Sequence, residues 1–203
     1  KIKKKLALEL SKLFLEVIIG INFDKDALKI LKRKKNLRLI DASNFTHSEI
    51  LKFTSTNDNI LVQSEDKKMF KRNDFRIVSK KKPSISQFND LIFAFNICRY
   101  VKSNAIVLAS NKSTLGIGCG QTSRLDSCQI AIDKMKKFTK PSKDIVAASD
   151  AFFPFTDGIE KLVQSGVKAV IQPAGSIKDK EVIKFANETG TILVFSKTRH
   201  FRH

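Results

Sequence analysis

The sequence predicts an α/β fold, and three stretches carry that reading. Ile145-Val146-Ala147-Ala148 is an apolar run bounded by polar residues, as a strand buried on both faces of a sheet requires. After Asp157, Ile159, Leu162 and Val163 recur at helical spacing. A second strand-and-helix unit follows: Ala169 to Gln172 is the strand, Pro173-Ala174-Gly175-Ser176 the loop and Lys178 to Ala186 the helix. Gly190 stops that helix, and Thr191 to Phe195 is the last strand.

From the start of the chain, Ile2, Leu6, Leu10 and Leu13 mark an amphipathic first helix, and Glu16 to Ile19 is a strand closed by Gly20. Asp24 caps a second helix carrying Ala27, Leu28 and Leu31, and Leu37 to Ile40 is the next strand. Between Asp41 and Asp66 the pattern weakens into Ser, Thr and Asn, with only Ile60-Leu61-Val62 strand-like, so a variable linker is expected there. Lys80 to Pro83 forms a basic hinge, which sets the division into residues 1–80 and 81–203. Ser84-Ile85-Ser86-Gln87 fits a capping box, and Phe88, Leu91, Ile92 and Phe95 give the following helix one apolar face to about Tyr100. Lys102-Ser103-Asn104 breaks it. Ala105 to Ala109 is then a strand, Ser110 to Ser113 a turn and Thr114 to Gly118 the hairpin partner, before a helix through Ile130, Ala131 and Met135.

Two stretches invite a functional reading. Ser149 to Gly158, SDAFFPFTDG, joins a strand end to a helix start, where α/β sheets bind ligands and free backbone N–H groups favour anions. Phe152, Phe153 and Phe155, bracketed by Asp150 and Asp157, suit a flat polar ligand; an aromatic plug over the sheet end, with Asp157 as a helix cap, is the other reading. Gly116, Gly118 and Gly120 alternate along the hairpin strand, but the third glycine comes one residue too early for a dinucleotide fingerprint. Their alternation strips side chains from one face, so that a backbone or a ligand approaches closely; a hairpin with a bulge fits equally well. Ser123 and Arg124 at the next helix start add hydroxyl and guanidinium donors, which favour an anionic ligand.

Composition narrows the class. The chain has 203 residues, enough for a sizeable core, and its 42% hydrophobic and 29% charged residues exclude a disordered polymer. No apolar run approaches bilayer length, so no membrane partner is expected. Residue 1 is not Met and no signal peptide follows, so the chain is expected to begin inside a longer gene product. Three cysteines without C-x-x-C spacing and three histidines, two of them in the tail, form no zinc or disulfide pattern and fit a reducing cytoplasm. The formal charge of +18 raises a nucleic-acid reading. Its lysines are spread along the chain, however, densest at Lys3-Lys4-Lys5, Lys32-Arg33-Lys34-Lys35 and Lys80-Lys81-Lys82, without the arginines and interleaved aromatics of a dedicated binder. That charge favours anionic small molecules such as phosphates and carboxylates. A basic nucleic-acid-binding protein and a catalytically inert assembly module are the alternative classes.

Lys102-Ser103-Asn104-Ala105, GIGCGQTSR from Gly116 to Arg124, SDAFFPFTDG from Ser149, IQPAGSIKDKEVI from Ile171 and the terminal RHFRH together resemble the carboxy-terminal part of the AICAR transformylase family. This is the formyltransferase half of a bifunctional purine biosynthesis protein whose other half is IMP cyclohydrolase. The resemblance runs through residues 84–203 nearly without gaps and is looser before them, through EVII, ALKIL and KKN. It implies a cytidine-deaminase-like α/β/α sandwich with a mixed sheet, zinc-free, preceded by a partial second α/β unit. It also implies a cytoplasmic homodimer with the cyclohydrolase domain in the same polypeptide, acting on AICAR with 10-formyltetrahydrofolate as cosubstrate.

Residue by residue, the resemblance makes Asn104 the asparagine that holds the carboxamide and the transferred formyl group. Phe152 becomes the aromatic beside the AICAR ring, Asp157 the carboxylate for the pterin's amino-pyrimidine edge, and Arg199 the tail arginine for the nucleotide phosphate. Ser123, Arg124 and Phe155 fall where the family lines its folate pocket. Thr156 stands where many members have arginine. The family's Lys-His pair lies in a K-H-x-N-P-C-G motif that does not occur in these 203 residues; His47, in the polar stretch Asn44 to His47, is expected to be solvated. The tail from Arg199 to His203, with little apolar area beyond Phe201, is expected to bind phosphate without supporting the fold.

Overall fold

The computed structural model describes residues 1–46, 51–138 and 143–202, so His47 and His203 lie outside the described residues. Two compact units result, Lys1–Glu65 and Asp66–His203.

In the first unit α1 (Lys4–Ser11), β1 (Val17–Gly20), α2 (Lys25–Leu31) and β2 (Arg38–Asp41) follow one another, and β1 pairs with β2 in parallel. α1 packs against α2. Ala7 and Ala27 are fully buried on these helices, small enough for close approach, whereas Leu6 and Leu13 are exposed. The apolar face expected from the leucine spacing is thus displaced, and Ile2 lies outside the helix, bridging Phe23. Asp24 occupies the N-cap position of α2, but its carboxylate pairs with Lys1 Nζ at 2.7 Å and makes no capping bond.

The expected linker is a hairpin. β3 (Leu51–Thr56) and β4 (Asn59–Ser64) pair antiparallel, with Phe53 opposite Val62. Asn57 turns the chain with φ of 45°, a conformation asparagine tolerates well. Leu51 and Phe53 alternate with Lys52 and Thr54 for only two repeats before Ser and Thr hide the period.

The second unit is a six-stranded mixed sheet in the order β5 (Phe75–Ile77), β10 (Ile192–Ser196), β9 (Val167–Pro173), β8 (Ile145–Ser149), β6 (Ile106–Ser110), β7 (Ser113–Gly118). β8, β9 and β10 run parallel, while β5 and β6 oppose their neighbours and β6–β7 is the expected hairpin. Because β5 extends this sheet, residues 66–80 join the second unit and the division falls at Glu65/Asp66 instead of Lys80.

Helices cover both faces. α3 (Ile85–Cys98) buries Phe88, Leu91, Ala94 and Phe95 against Val107, Val146, Ile171 and Val194. On the other face α4 (Arg124–Phe138), α5 (Asp157–Gln164) and α6 (Asp179–Glu188) meet Ile106, Leu108, Ala147 and Leu193. Successive residues of β6 and β10 therefore point into opposite cores, which is why these strands read as continuous apolar runs. α3 starts with the expected capping box: Ser84 Oγ accepts from Gln87 N at 3.1 Å and Gln87 Oε1 from Ser84 N at 3.0 Å. Among the described residues no helix is long and apolar enough to cross a membrane.

The alternating glycines bring a backbone close. A Cβ at Gly116 would lie 2.0 Å from Ala131 O, and one at Gly118 1.8 Å from Ser127 O, so α4 rests directly on β7. A register shift at Leu108/Ala109 adds the bulge. Gly118→Ala is therefore expected to destabilise the second unit by about 1–3 kcal/mol through overpacking against backbone, which does not yield as a side chain would. Urea unfolding followed by circular dichroism checks it; an unchanged midpoint contradicts the packing.

Candidate functional site

Strand directions bring the suspected loops to one end of the six-stranded sheet. β8, β9 and β10 end there, and because β6 opposes β8, the segment before β6 meets the segment after β8: Ile106 stands opposite Ser149. Gly118, at the end of β7, stands opposite Ile106 as well, so α4 begins at the same rim. A cavity of about 620 Å³ opens among these segments. Asn104, Ser123, Arg124, Phe152, Phe155, Asp157 and Arg199, all seven residues singled out in the sequence, line it. Thr156 is at the N-cap position of α5 without a side-chain capping bond.

Asn104 is held on every side. Its Nδ2 donates to the carbonyl oxygens of Gln121 and Thr122, both at 3.0 Å, and its Oδ1 accepts from Arg124 Nη2 at 2.7 Å. Both amide protons are thereby committed to the protein, and the oxygen keeps one lone pair. In this arrangement the hydrogen-bonding capacity that Asn104 leaves free is that of an acceptor.

Arg124 is an internal clamp. Its Nη1 donates to Ser149 Oγ at 2.8 Å and pairs with Asp150 Oδ1, while Nη2 reaches Asn104. The Asp150 carboxylate is wholly buried and also accepts from Ser103 Oγ at 2.6 Å. The charge that suggested an anion donor at the helix start is thus balanced inside the protein. Ser123 Oγ accepts from Asp126 N at 3.4 Å, a local bond in the first turn of α4.

The free charges lie elsewhere on the rim. Arg199 is exposed and without an acidic partner among the described residues, its guanidinium 4.7 Å from the centre of the Phe152 ring and 6.0 Å from that of Phe201. Gly175, with φ of 107°, lets the loop after β9 pass beside it: a Cβ there would lie 3.7 Å from Arg199 Nη2. Asp157, exposed in the first turn of α5, accepts from Gly158 N at 2.7 Å. The cavity is accordingly bipolar, with a cation on an aromatic ring in one segment, a carboxylate in another and Phe155 exposed on its wall. Phe153 is buried in the core and closes the floor of the same cavity. The aromatic run therefore divides between the plug and the ligand-facing readings.

Cysteine chemistry is suppressed beneath the site. Burial pushes the Cys128 thiol up to about 12, only partly opposed by Arg124, and raises that of Cys98 well above its usual value.

The tail departs from expectation. His200 is buried, its ring 4.5 Å from that of Phe95 and 5.1 Å from that of Phe70, with Nδ1 2.5 Å from Asp66 Oδ2. Its backbone N donates to Asp150 O at 2.8 Å, while Arg202 O accepts from Ser103 N at 2.8 Å and Arg202 N donates to Ser103 Oγ at 3.0 Å. Arg199 is exposed at the cavity, whereas His200 supports the fold.

Sequence reading missed Asp150 as an internal partner, grouping it with Asp157 as ligand-facing. A signal existed in the single carboxylate that follows the buried run Ile145 to Ser149, where burial is continuous and a charge needs an internal cation.

Comparison with known proteins follows the same path. The chain is 44% identical over 196 residues to the bifunctional purine biosynthesis protein PurH of Persephonella marina, covering 96% of this chain and 38% of that protein. Against PurH of Aquifex aeolicus it is 44% identical over 203 residues, covering 100% of this chain and 39% of the other. PurH of Leptospira biflexa is 42% identical over 204 residues, with 40% of its length matched. The chain thus spans about two fifths of the length of these relatives. The AICARFT/IMPCHase bienzyme family model matches residues 1–134, two thirds of the chain, and the remaining strand-end loops align within the same relatives: the chain belongs to the AICARFT/IMPCHase bienzyme family.

Proposed function

We propose that the cavity is the binding half of a formyltransferase site in purine (IMP) biosynthesis, where the 5-amino group of AICAR takes a formyl group from 10-formyltetrahydrofolate. One observation supports this above the others: the seven residues assigned by resemblance, far apart in sequence, line a single cavity of about 620 Å³. The second unit would then be a zinc-free cytidine-deaminase-like sandwich. It would work as part of a cytoplasmic homodimer beside an IMP cyclohydrolase domain, with no nucleic-acid or membrane partner.

In the reaction the amine nitrogen attacks the formyl carbon, the bond from that carbon to folate N10 breaks, and the amine proton passes to N10. The amine is a weak nucleophile because its lone pair is delocalised into the imidazole carboxamide, so orientation and proton transfer must supply the rate. Asn104 Oδ1 accepts an N–H of AICAR and aims the amine. Phe152 gives the imidazole a flat face, and Arg199, stacked on that ring, meets the phosphate with a planar fork that lysine lacks. Asp157 accepts two hydrogen bonds from the amino-pyrimidine edge of the pterin, beside Phe155, with Ser123 and Arg124 along the folate wall. None of these groups is suited to take the amine proton at neutral pH, a task left to the Lys-His pair of the family, whose motif these 203 residues lack.

Asp157→Asn, in the full-length protein that carries this chain, is expected to raise the Michaelis constant for the folate far more than that for AICAR. An amide opposes one donor with another, and such a mismatch costs about 1–3 kcal/mol, roughly a 10- to 100-fold change. Equal changes in the two constants would remove Asp157 from the pterin.

A further inference from the structure

The geometry points to Asp150 as a positioning residue that, through Arg124, fixes the Asn104 amide with its oxygen, and not its N–H groups, toward the cavity. The inference rests on the reading above that Asn104 faces AICAR. An amide turned by 180° would put its N–H groups against the Arg124 guanidinium and its oxygen against the carbonyls of Gln121 and Thr122, so both contacts would become repulsive. Arg124 therefore decides the orientation of Asn104. Arg124 is in turn decided by Asp150, whose side chain is fully buried while that of Arg124 retains 10% exposure. An arginine fork has fixed geometry, so when Asp150 and Ser149 hold one nitrogen the other has one place to go.

The second oxygen of Asp150 acts on the same target. It accepts from Ser103 Oγ at 2.6 Å, and Ser103 is the residue before Asn104. Ser103 Oγ also accepts from Arg202 N at 3.0 Å, and the Asp150 carbonyl accepts from His200 N at 2.8 Å. One buried carboxylate thus grips the Asn104 side chain through Arg124 and its backbone through Ser103, and Ser103 is held in turn by the segment that carries Arg199. The functional consequence is selectivity for an N–H donor at Asn104, which orients the attacking amine instead of binding the formyl oxygen.

Two readouts test the relay. In the 203-residue chain, hydrogen exchange of the Asn104 side-chain amide, followed by nuclear magnetic resonance, is slow because both protons are bonded. Asp150→Asn is expected to speed it by about 10- to 100-fold, the fold-change for losing a charge-assisted hold. In the full-length protein the same substitution is expected to lower kcat by about 10²-fold, the size of a 1 Å misplacement, with KM for AICAR little changed. Should Asp150→Asn fail to fold, the pair Asp150→Asn/Arg124→Met leaves no unpaired buried charge and is expected to show the same fast exchange. Slow Asn104 exchange in either folded variant overturns the relay. A full-length protein that transfers no formyl group defeats the functional reading, and the exchange measurement still decides the positioning role.

Discussion

His200→Ala is expected to lower the stability of the second unit by about 3 kcal/mol, the lower end for deleting a buried aromatic ring. The imidazole is fully buried and packs edge-on to Phe70 and tilted against Phe95, so its loss leaves a hole that a tightly packed α3 face fills only in part. Substitution also strips the Asp66 carboxylate of a partner at 2.5 Å and loosens the backbone bond from His200 N to Asp150 O. The neighbouring Arg199→Ala removes only an exposed cation from an aromatic face, a contact worth about 0.5–1 kcal/mol, while taking away the group assigned to the phosphate. Urea unfolding of the two variants beside AICAR titration separates the roles of adjacent residues. A His200→Ala protein as stable as the parent would return the whole tail to ligand binding.

Arg124→Ala is expected to cost about 3–5 kcal/mol, because it leaves the wholly buried Asp150 carboxylate without its cation. The loss differs in kind from that of a surface pair. Most of it is the penalty of an uncompensated charge, so Arg124→Met combined with Asp150→Asn is expected to destabilise much less than the two single substitutions added together. A chemical-denaturation cycle over the four proteins measures the difference. Additive losses, or a single Arg124→Ala within 1 kcal/mol of the parent, would show that the pair is not coupled as its geometry requires.

Much of the second unit is legible because its signals are local and agree with one another. Ser84 and Gln87 announce the start of α3, unbroken apolar runs announce β6, β8 and β10, and Gly190 marks the end of α6 with φ of 66°. The first unit is less legible. α1 depends on which side of a short helix meets α2, and there the small Ala7, not the larger leucines, is wanted at the contact. The β3–β4 hairpin escapes because all twelve of its strand positions are exposed, so no buried face imposes the alternation that identifies strands.

The site divides in the same way. Asn104, Phe152, Asp157 and Arg199 sit in recognisable motifs, but Asn104 meets Phe152 and Asp157 through the antiparallel placement of β6 beside β8, and Arg199 joins them through the parallel run of β8, β9 and β10, which no single motif encodes. What stays hidden is pairing across distance. Arg124 and Asp150 are 26 positions apart, and His200 and Asp66 are 134 apart. In sequence neither pairing shows, and only packing brings each group to its partner.

The most direct measurement is formyl transfer from 10-formyltetrahydrofolate to AICAR, assayed with the 203-residue chain alone and again after adding a segment that bears the K-H-x-N-P-C-G motif. With only the binding half present, turnover is expected to be lower by about 10²–10⁴-fold, the usual loss when a positioned proton-transfer group is missing, and the added segment is expected to restore it. Substantial turnover by the chain alone, unchanged by the added segment, would contradict the division of binding and proton transfer drawn from this cavity.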